Sequence, residues 1–568
     1  MNHPSTCPAA DPAEDRLRTI EVLGALSLAA DMALGLPAGH GARTTYIGMR
    51  IATRLGLPLG EQTDLFYAAL LMDAGCTAWA SQVAATILGD DAAARRELFF
   101  FTDHGDPRDV VRWLARYMAV GERAGVRVKR AVDFAVHGRK FMVEGMRNTT
   151  EVAARFAGRL ERSPGVQQAL RFAFERWDGS GPIGRRAESI PLISRIVYAA
   201  IFLEVFHRAE GRTAAVGLAR GRCGDAFDPD VVKAFLRLAA DEGFWRDLES
   251  ERIWTLVCGL EPDSPARYFG ASGLDDIARA FGDFGDLKSF YTAGHSRRVA
   301  ALAERLASAL GLPAVDVVTI RRAALLHDLG LVAVPSFVLH KPEDRMSGAE
   351  WEALRLHPYH GERILARVPA LLPVCPIIAA HHERPDGRGY YRGLALDAIP
   401  MGARIVGACD HFDELTHSGP GRTALAPDDA LCAIERESGS GFCREAVTAL
   451  REVAICAADV EPRVPRREPL PAPAPRLPAW PASRTVRWRC SASSRRVPAG
   501  GRLLPGCRSA STPFGTTSST STARSTSGPA SRPPCSQWNT GFSPSGGLVR
   551  TTSDGTFVRC AARTRRLA

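Results

Sequence analysis

The sequence predicts an all-α protein: two helical modules in tandem followed by a disordered tail. Three observations carry this reading. Apolar residues recur at helical spacing, a set of short blocks recurs at a constant distance along the chain, and the composition changes abruptly near residue 460. After His295, the residues Val299, Leu302, Leu306 and Leu310 hold one helix face, and Val317, Ile320, Ala324 and His327 hold the next. Gly311-Leu312-Pro313 between them is a stop and restart signal. Ala366 to Glu383 is apolar-periodic but punctuated by Pro369, Pro373 and Pro376. Glu383 to Gly393 is a Gly-rich loop, and Pro400 opens a helix through Ile405, Ala408, Cys409 and Phe412. No alternating pattern of useful length argues for a strand.

The repeat defines the modules. Gly39-His40-Gly41-Ala42-Arg43 matches Gly294-His295-Ser296-Arg297-Arg298. At the same separation of 255 residues, Leu55-Gly56-Leu57-Pro58 matches Leu310-Gly311-Leu312-Pro313, and Ala68 to Gly75 matches Ala323 to Gly330. Further on, Glu175-Arg176-Trp177-Asp178-Gly179-Ser180-Gly181 matches Glu383-Arg384-Pro385-Asp386-Gly387-Arg388-Gly389, and Ile190-Pro191 matches Ile399-Pro400. The expected division is 14–258 and 265–460, with a longer middle in the first copy.

The tail, 461–568, differs in kind. It holds 15 Pro, 16 Ser, 18 Arg, no Lys and 3 acidic residues, with apolar residues sparse and isolated. Such a segment buries too little surface to offset its ordering entropy. A linker, translation in a shifted frame and a nucleic-acid-binding arm all remain open for it. Its local charge of +15 accounts for the whole chain's +10 and leaves residues 1–460 at −5, so the basic balance does not argue for nucleic acid as a partner.

The rest of the composition is that of a globular protein: 568 residues, 45% apolar and 24% charged. No apolar run approaches the roughly 20 residues of a membrane span, and no basic-then-apolar leader opens the chain. A cytoplasmic protein without membrane contact is expected. Thirteen scattered cysteines without a CxxC pair suggest no disulfide framework.

The second copy concentrates metal-ligand residue types: His295, His327-Asp328, His357, His381-His382 and Asp410. Imidazole with carboxylate suits iron, manganese or zinc rather than magnesium or calcium. Neighbours on a helix point about 100° apart, so a doublet can serve two nearby metals, and Asp328 can bridge them. Two metals about 3.5–4 Å apart hold a phosphodiester and activate a water. His360, one turn after His357, faces the same side, either as a partner to a ligand or toward solvent.

At these residues the sequence resembles the HD superfamily of metal-dependent phosphohydrolases, and its HD-GYP branch in particular. The matching elements are GHSRR at His295, HDLG at His327-Asp328, HPYHG at His357 and His381-His382-Glu383. They continue with Asp386-Gly387-Arg388-Gly389-Tyr390, Ile399-Pro400 and Asp410, over about 265–460. The resemblance implies an all-α fold and two divalent metal ions, iron or manganese, held by His295, His327, Asp328, His357, His381, His382 and Asp410. It implies Asp328 as catalytic residue, Tyr390, Arg388 and Arg422 as substrate-binding residues, and a nucleotide phosphoester as substrate, cyclic di-GMP first. Partners expected are this substrate and a possible homodimer.

Departures from the branch fall on substrate recognition. Leu331 stands where a lysine usually contacts phosphate, and Gly389-Tyr390-Tyr391 lacks the signature proline. Ser418 to Arg422 keeps only an arginine of a longer gripping motif, and Tyr291 replaces a glutamate that supports a third metal in some members. Arg322, Arg388, Arg392 and Lys341 are candidates to replace the lost phosphate contact.

In the first copy His40 and Asp73 remain, but Met72, Ala173-Phe174 and Ile201 stand where His327, His381-His382 and Asp410 do. This copy reads as degenerate and metal-free, with a structural, dimerising or ligand-binding role. Tandem modules of this order resemble regulators that end in a LuxR-type helix-turn-helix, which the tail's sequence lacks. The leading function is therefore a metal-dependent nucleotide phosphodiesterase in bacterial signalling. The alternatives are a non-catalytic nucleotide-sensing module coupled to transcription, or a hydrolase of a triphosphate or alarmone.

Overall fold

Gly39 (φ 87°) and Gly294 (φ 73°), equivalent positions in the repeat, adopt the left-handed backbone region that glycine enters without steric cost. From each the chain turns into a helix, His40–Leu55 and His295–Ala309. Each helix stops near the repeated Leu-Gly-Leu-Pro block, and the next one begins right after its proline, Leu59–Leu71 and Ala314–Leu326. The computed structural model of the chain describes residues 17–102, 107–262, 268–269 and 273–458. The expected disorder of 461–568 lies outside the described residues.

Three sets of equivalent hydrogen bonds build the two modules alike. Asp31 accepts from the backbone N–H groups of Gly39, His40 and Gly41, and its counterpart Asp286 accepts from Ser296 N–H and Oγ. Glu175 accepts from Ile183 and Arg185 N–H, and Glu383 accepts from Arg392 and Leu394 N–H. His40 Nδ1 is joined to Glu204, and His295 Nδ1 to Asp413. Each buried carboxylate satisfies backbone or imidazole donors that would otherwise be orphaned at a helix start or loop.

Close approach at a second glycine pair places the next strip of chain. A Cβ on Gly330 would lie 1.9 Å from the carbonyl oxygen of His357, and a Cβ on Gly75 would lie 1.9 Å from that of Thr149. Thr149 is thereby the counterpart of His357, which the sequence alone had not supplied. The connection from Gly75 to Thr149 is far longer than that from Gly330 to His357. It contains a π-helical turn, Glu97–Phe101, and most of the helix Ala124–Arg159.

One apolar core runs through both modules, from Ile20 and Leu26 to Phe281, Leu326 and Val406. Polar contacts also join them. The hydroxyls of Ser81 and Ser336, again counterparts, both donate to the carbonyl of Lys288 at 2.9 Å. Phe337 N–H donates to Asp91 at 3.3 Å, and Arg159 pairs with Asp283 at 2.8 Å. Leu17–Arg18 pairs antiparallel with Tyr268–Phe269. Among the described residues these two-residue strands are an addition to the all-α expectation, and they are too short to carry an alternating pattern. Among the described residues no helix is long and apolar enough to cross a membrane.

Two expectations follow. Gly330→Ala and Gly75→Ala force a methyl group into a backbone carbonyl and should each cost about 3 kcal/mol or more. Gly217→Ala, in a helix with nothing within 4 Å of the new Cβ, should instead stabilise by about 0.5–1 kcal/mol. Denaturant midpoints compare them. The second concerns His40, whose burial opposes charge but whose neighbours Glu204, Asp73 and Asp31 raise its pKa to about 9. Burial likewise raises Asp31 to about 7. Both groups hold protons more tightly folded than unfolded. The stability they supply is complete below their ordinary values and is lost as pH rises through about 7 and then about 9. Glu204→Gln should cost about 3 kcal/mol at neutral pH and flatten the fall in melting temperature between neutral and alkaline pH.

Candidate metal centre

Helix ends carry the donors. His295 opens its helix, His327 and His381 cap the helices Ala314–Leu326 and Cys375–Ala380, His357 opens His357–Leu365, and Asp410 sits mid-way along Met401–Thr416. At a cap the backbone carbonyl one turn back is available. Nδ1 of His327, His357 and His381 each meets the carbonyl three residues earlier, at 2.8, 2.8 and 2.6 Å. A carbonyl can only accept, so Nδ1 carries the hydrogen and Nε2 is the atom that each ring turns toward the centre. Backbone contacts of this kind orient ligand imidazoles.

The side chains converge in two groups that share Asp328: Asp328, His357, His381 and His382, and His295, His327, Asp328 and Asp410. Within each group the donor atoms lie within 4.8 Å of one another. Oδ1 of Asp328 faces His357 Nε2 at 3.3 Å, and Oδ2 faces the Nε2 atoms of His295 and His327 at 3.5 Å each. Asp410 divides its oxygens similarly, Oδ1 toward His295 at 3.1 Å and Oδ2 toward His382 at 3.8 Å. All seven residues named from the sequence thus meet.

The arrangement fits cations. Nε2 of His357 and Nε2 of His381 face each other at 3.3 Å, both rings having Nδ1 on a carbonyl. Nitrogens so placed would serve as ligands to one dication. Burial works against charge at His295, yet hydrogen bonds to Asp410 and Asp413 hold its pKa well above the usual value. Burial also opposes charge at Asp410, where contacts with His295 and His327 prevail and hold it well below. A metal replaces the protons held there, so its affinity falls as pH falls. The mixed imidazole–carboxylate set suits iron, manganese or zinc.

The centre lies in the lining of a cavity of about 540 Å³. Tyr390 lines it and stacks on His382 with ring centroids 4.4 Å apart. Arg422 lines it too, and its Nη1 has no hydrogen-bond partner among the described residues. Leu331, Tyr291 and Lys341 complete the wall near the centre, and Lys341 pairs with Glu350 at 2.5 Å. Arg388 is exposed on its loop and is not among the lining residues. His360 packs beside Tyr359 and also stays outside the lining.

Two residues escaped the sequence reading. Asp413, one turn after Asp410, meets His295 Nδ1 at 2.7 Å and accepts from Arg298 Nε and Nη2 at 2.8 and 2.9 Å. Its counterpart Glu204 does the same for His40, so the repeat itself held the signal. Asp413→Asn keeps the volume but weakens the hold on His295. It should lower metal affinity or activity about 10–100-fold without loss of helix, as checked by competition with a chelator and by circular dichroism.

The model of a family described as HD domain matches residues 286–444. Over 433 residues the chain is 32% identical to the 3'3'-cGAMP-specific phosphodiesterase 3 of Vibrio cholerae, covering 76% of this chain and 94% of that protein. It is 34% identical over 178 residues to a cyclic di-GMP phosphodiesterase of Thermotoga maritima, covering 31% of this chain and 48% of that one. A crystal structure of a cyclic GMP-AMP-specific phosphodiesterase of V. cholerae, V-cGAP3, superposes with a TM-score of 0.54 at 29% identity. That likeness covers 77% of this chain and 98% of the other. A buried His-Asp cluster on helix ends and a near full-length relative lead to the same conclusion: the chain is an enzyme, a hydrolase, and belongs to the HD-domain family of metal-dependent phosphohydrolases.

Proposed function

We propose that the chain hydrolyses a phosphodiester bond of a 3'3'-linked cyclic dinucleotide in bacterial signalling, with 3'3'-cGAMP the first substrate to test and cyclic di-GMP the second. The observation that carries this is Asp328, one carboxylate shared by two donor groups in the lining of a cavity open to solvent. Two ions, iron or manganese, fit that division. They would be held by His295, His327 and Asp410 on one side of Asp328 and by His357, His381 and His382 on the other. Such ions, when bound, polarise phosphoryl oxygens and supply a water of lowered pKa as nucleophile. The near full-length V. cholerae relative, named for 3'3'-cGAMP, supports the choice of first substrate.

The chain's own residues then divide the work. Asp328 is the catalytic carboxylate: its two oxygens keep both donor groups in register and orient the attacking water. Tyr390, already stacked on His382, offers a ring edge and face to a base. Arg422 has a guanidinium nitrogen to give to phosphate, and Lys341 supplies a second cation on the wall where Leu331 has none. Residues 265–460 are the hydrolytic module on this reading, and 14–258 a metal-free companion.

The test is hydrolysis by the purified full chain under anaerobic conditions with Fe(II) or Mn(II). The substrates are 3'3'-cGAMP, cyclic di-GMP and, for comparison, GTP. A linear dinucleotide from a cyclic substrate is expected, falling at least about 10³-fold in Asp328→Ala with the circular dichroism unchanged. About two bound metals per chain with neither cyclic dinucleotide cleaved would overturn the reading. Ligand affinity without turnover would return the protein to the nucleotide-sensing alternative.

A further inference from the structure

The first module contains a cavity where the second has its metal centre. Asp73, Thr149, Phe174 and Ile201 line it, and they are the counterparts of Asp328, His357, His382 and Asp410. Cys76, counterpart of Leu331, lines it as well. Its volume is about 70 Å³. Loss of the imidazoles has therefore not closed the space by collapse.

Most of the rest of the wall comes from the connection between Gly75 and Thr149, far longer than its counterpart in the second copy. Trp79, Phe99, Phe100, Met142 and Met146 project into the cavity. Phe99 and Phe100 sit on the π-helical turn Glu97–Phe101, a local distortion that recurs at functional sites. Phe99 also meets Phe174 edge-on, with centroids 5.2 Å apart. Aromatic rings with methionine thioethers form a wall that accepts flat apolar molecules and adjusts to them.

Polar groups at the cavity are few and nearly all engaged. Arg95 gives its nitrogens to the carbonyls of Asp91, Cys76 and Ala33 and to the Asp91 carboxylate. Arg96 donates to the Gly35 carbonyl at 2.6 Å. What remains, beside the Thr149 hydroxyl, is Asp73. Its Oδ2 lies 3.7 Å from His40 Nε2, a buried nitrogen with no hydrogen-bond partner among the described residues. The carboxylate thus stands at the polar end of an apolar pocket with capacity to accept a hydrogen bond. Two arginines, Arg95 and Arg96, stand against two carboxylates, Asp91 paired with Arg95 and Asp73, which favours an uncharged occupant.

We infer that the vestigial site is a binding pocket for a compact, uncharged aromatic molecule with one hydrogen-bond donor, held against Phe99, Phe100 and Phe174 with its donor on Asp73. Two helical modules of one ancestry then carry two kinds of site. One is polar, built for metal and phosphate, and the other is apolar.

Indole is a fitting probe, a flat ring system with a single N–H. Titration calorimetry of the metal-loaded full chain with indole should give one saturable site per chain. Met146→Trp and Ile201→Trp, which fill the pocket from two different helices, Ala124–Arg159 and Leu192–Glu210, should weaken binding at least tenfold with unchanged circular dichroism. Asp410→Ala, which alters only the metal centre, should bind indole as the parent does. No saturable binding to the parent would overturn the inference. So would parent-like affinity in a folded filling variant, or loss of binding in Asp410→Ala, which would move the probe to the catalytic cavity. None of these readouts depends on hydrolysis, so they stand apart from the test of the substrate.

Discussion

Asp328 has to face two sets of imidazoles at once, and most of the catalytic module serves that requirement. A single carboxylate can be shared only if the helix end before it, the start of the helix at His357 and the end of the helix at His381 come within a few ångströms. Gly330 permits the approach, because its backbone lies where any side chain would strike the His357 carbonyl. Gathering buried imidazoles and carboxylates without water is costly. The cost is offset locally: three rings donate to carbonyls one turn back, His295 is tied to Asp413, and Asp413 is tied in turn to Arg298. Four of the five imidazoles are held by these hydrogen bonds and the fifth, His382, by stacking on Tyr390.

The first module shows which parts of that design belong to the fold and which to the chemistry. It keeps Gly39, Gly75, Asp31, Glu175 and Glu204, every one of which satisfies backbone, fixes a helix start or allows a close approach. Of the groups that point into the centre it keeps His40 and Asp73 and has lost the rest, Met72, Thr149, Ala173, Phe174 and Ile201 standing in their place. A helical frame of this kind needs its buried carboxylates whether or not it binds metal. His40 survives because its partner Glu204 survives: a buried ion pair is costly to break from one side and is retained as a pair.

How much of this was legible in the sequence depends on where a residue sits. The doublets His327-Asp328 and His381-His382 stand out because adjacent ligand types are rare on an apolar helix end, and the constant spacing of the repeat located them in a frame. Asp413 did not stand out. A carboxylate near the end of a polar helix usually faces solvent, and only its pairing with His295, far away in the chain, gives it a role. Arg388, named from its place in the Gly-rich loop, is exposed outside the cavity lining, because Gly387 (φ 72°) turns the loop and the Arg388 N–H is spent on Asp386. The counterpart of His357 was unreadable for a different reason. The long connection in the first copy breaks the register there, and only the backbone contact at Gly75 restores it.

That connection also bears on how the modules are joined. The strip from Cys76 to Arg96 lines the apolar pocket on one side and meets the catalytic module on the other, through Ser81 and Asp91. Its anchor is the carbonyl of Lys288, which accepts one hydroxyl from each copy of the repeat. Tyr291, three residues further on, lines the catalytic cavity. His340, which Ser81 also touches at 3.2 Å, stacks against Phe290 and precedes Lys341 on the same cavity wall. Close-packed interiors yield little by compression. A shift of the strip by even an ångström would therefore have to break one of the two hydroxyl contacts to Lys288 or carry the Lys288–Tyr291 segment with it. The wall of one site is, by this geometry, a mechanical boundary of the other.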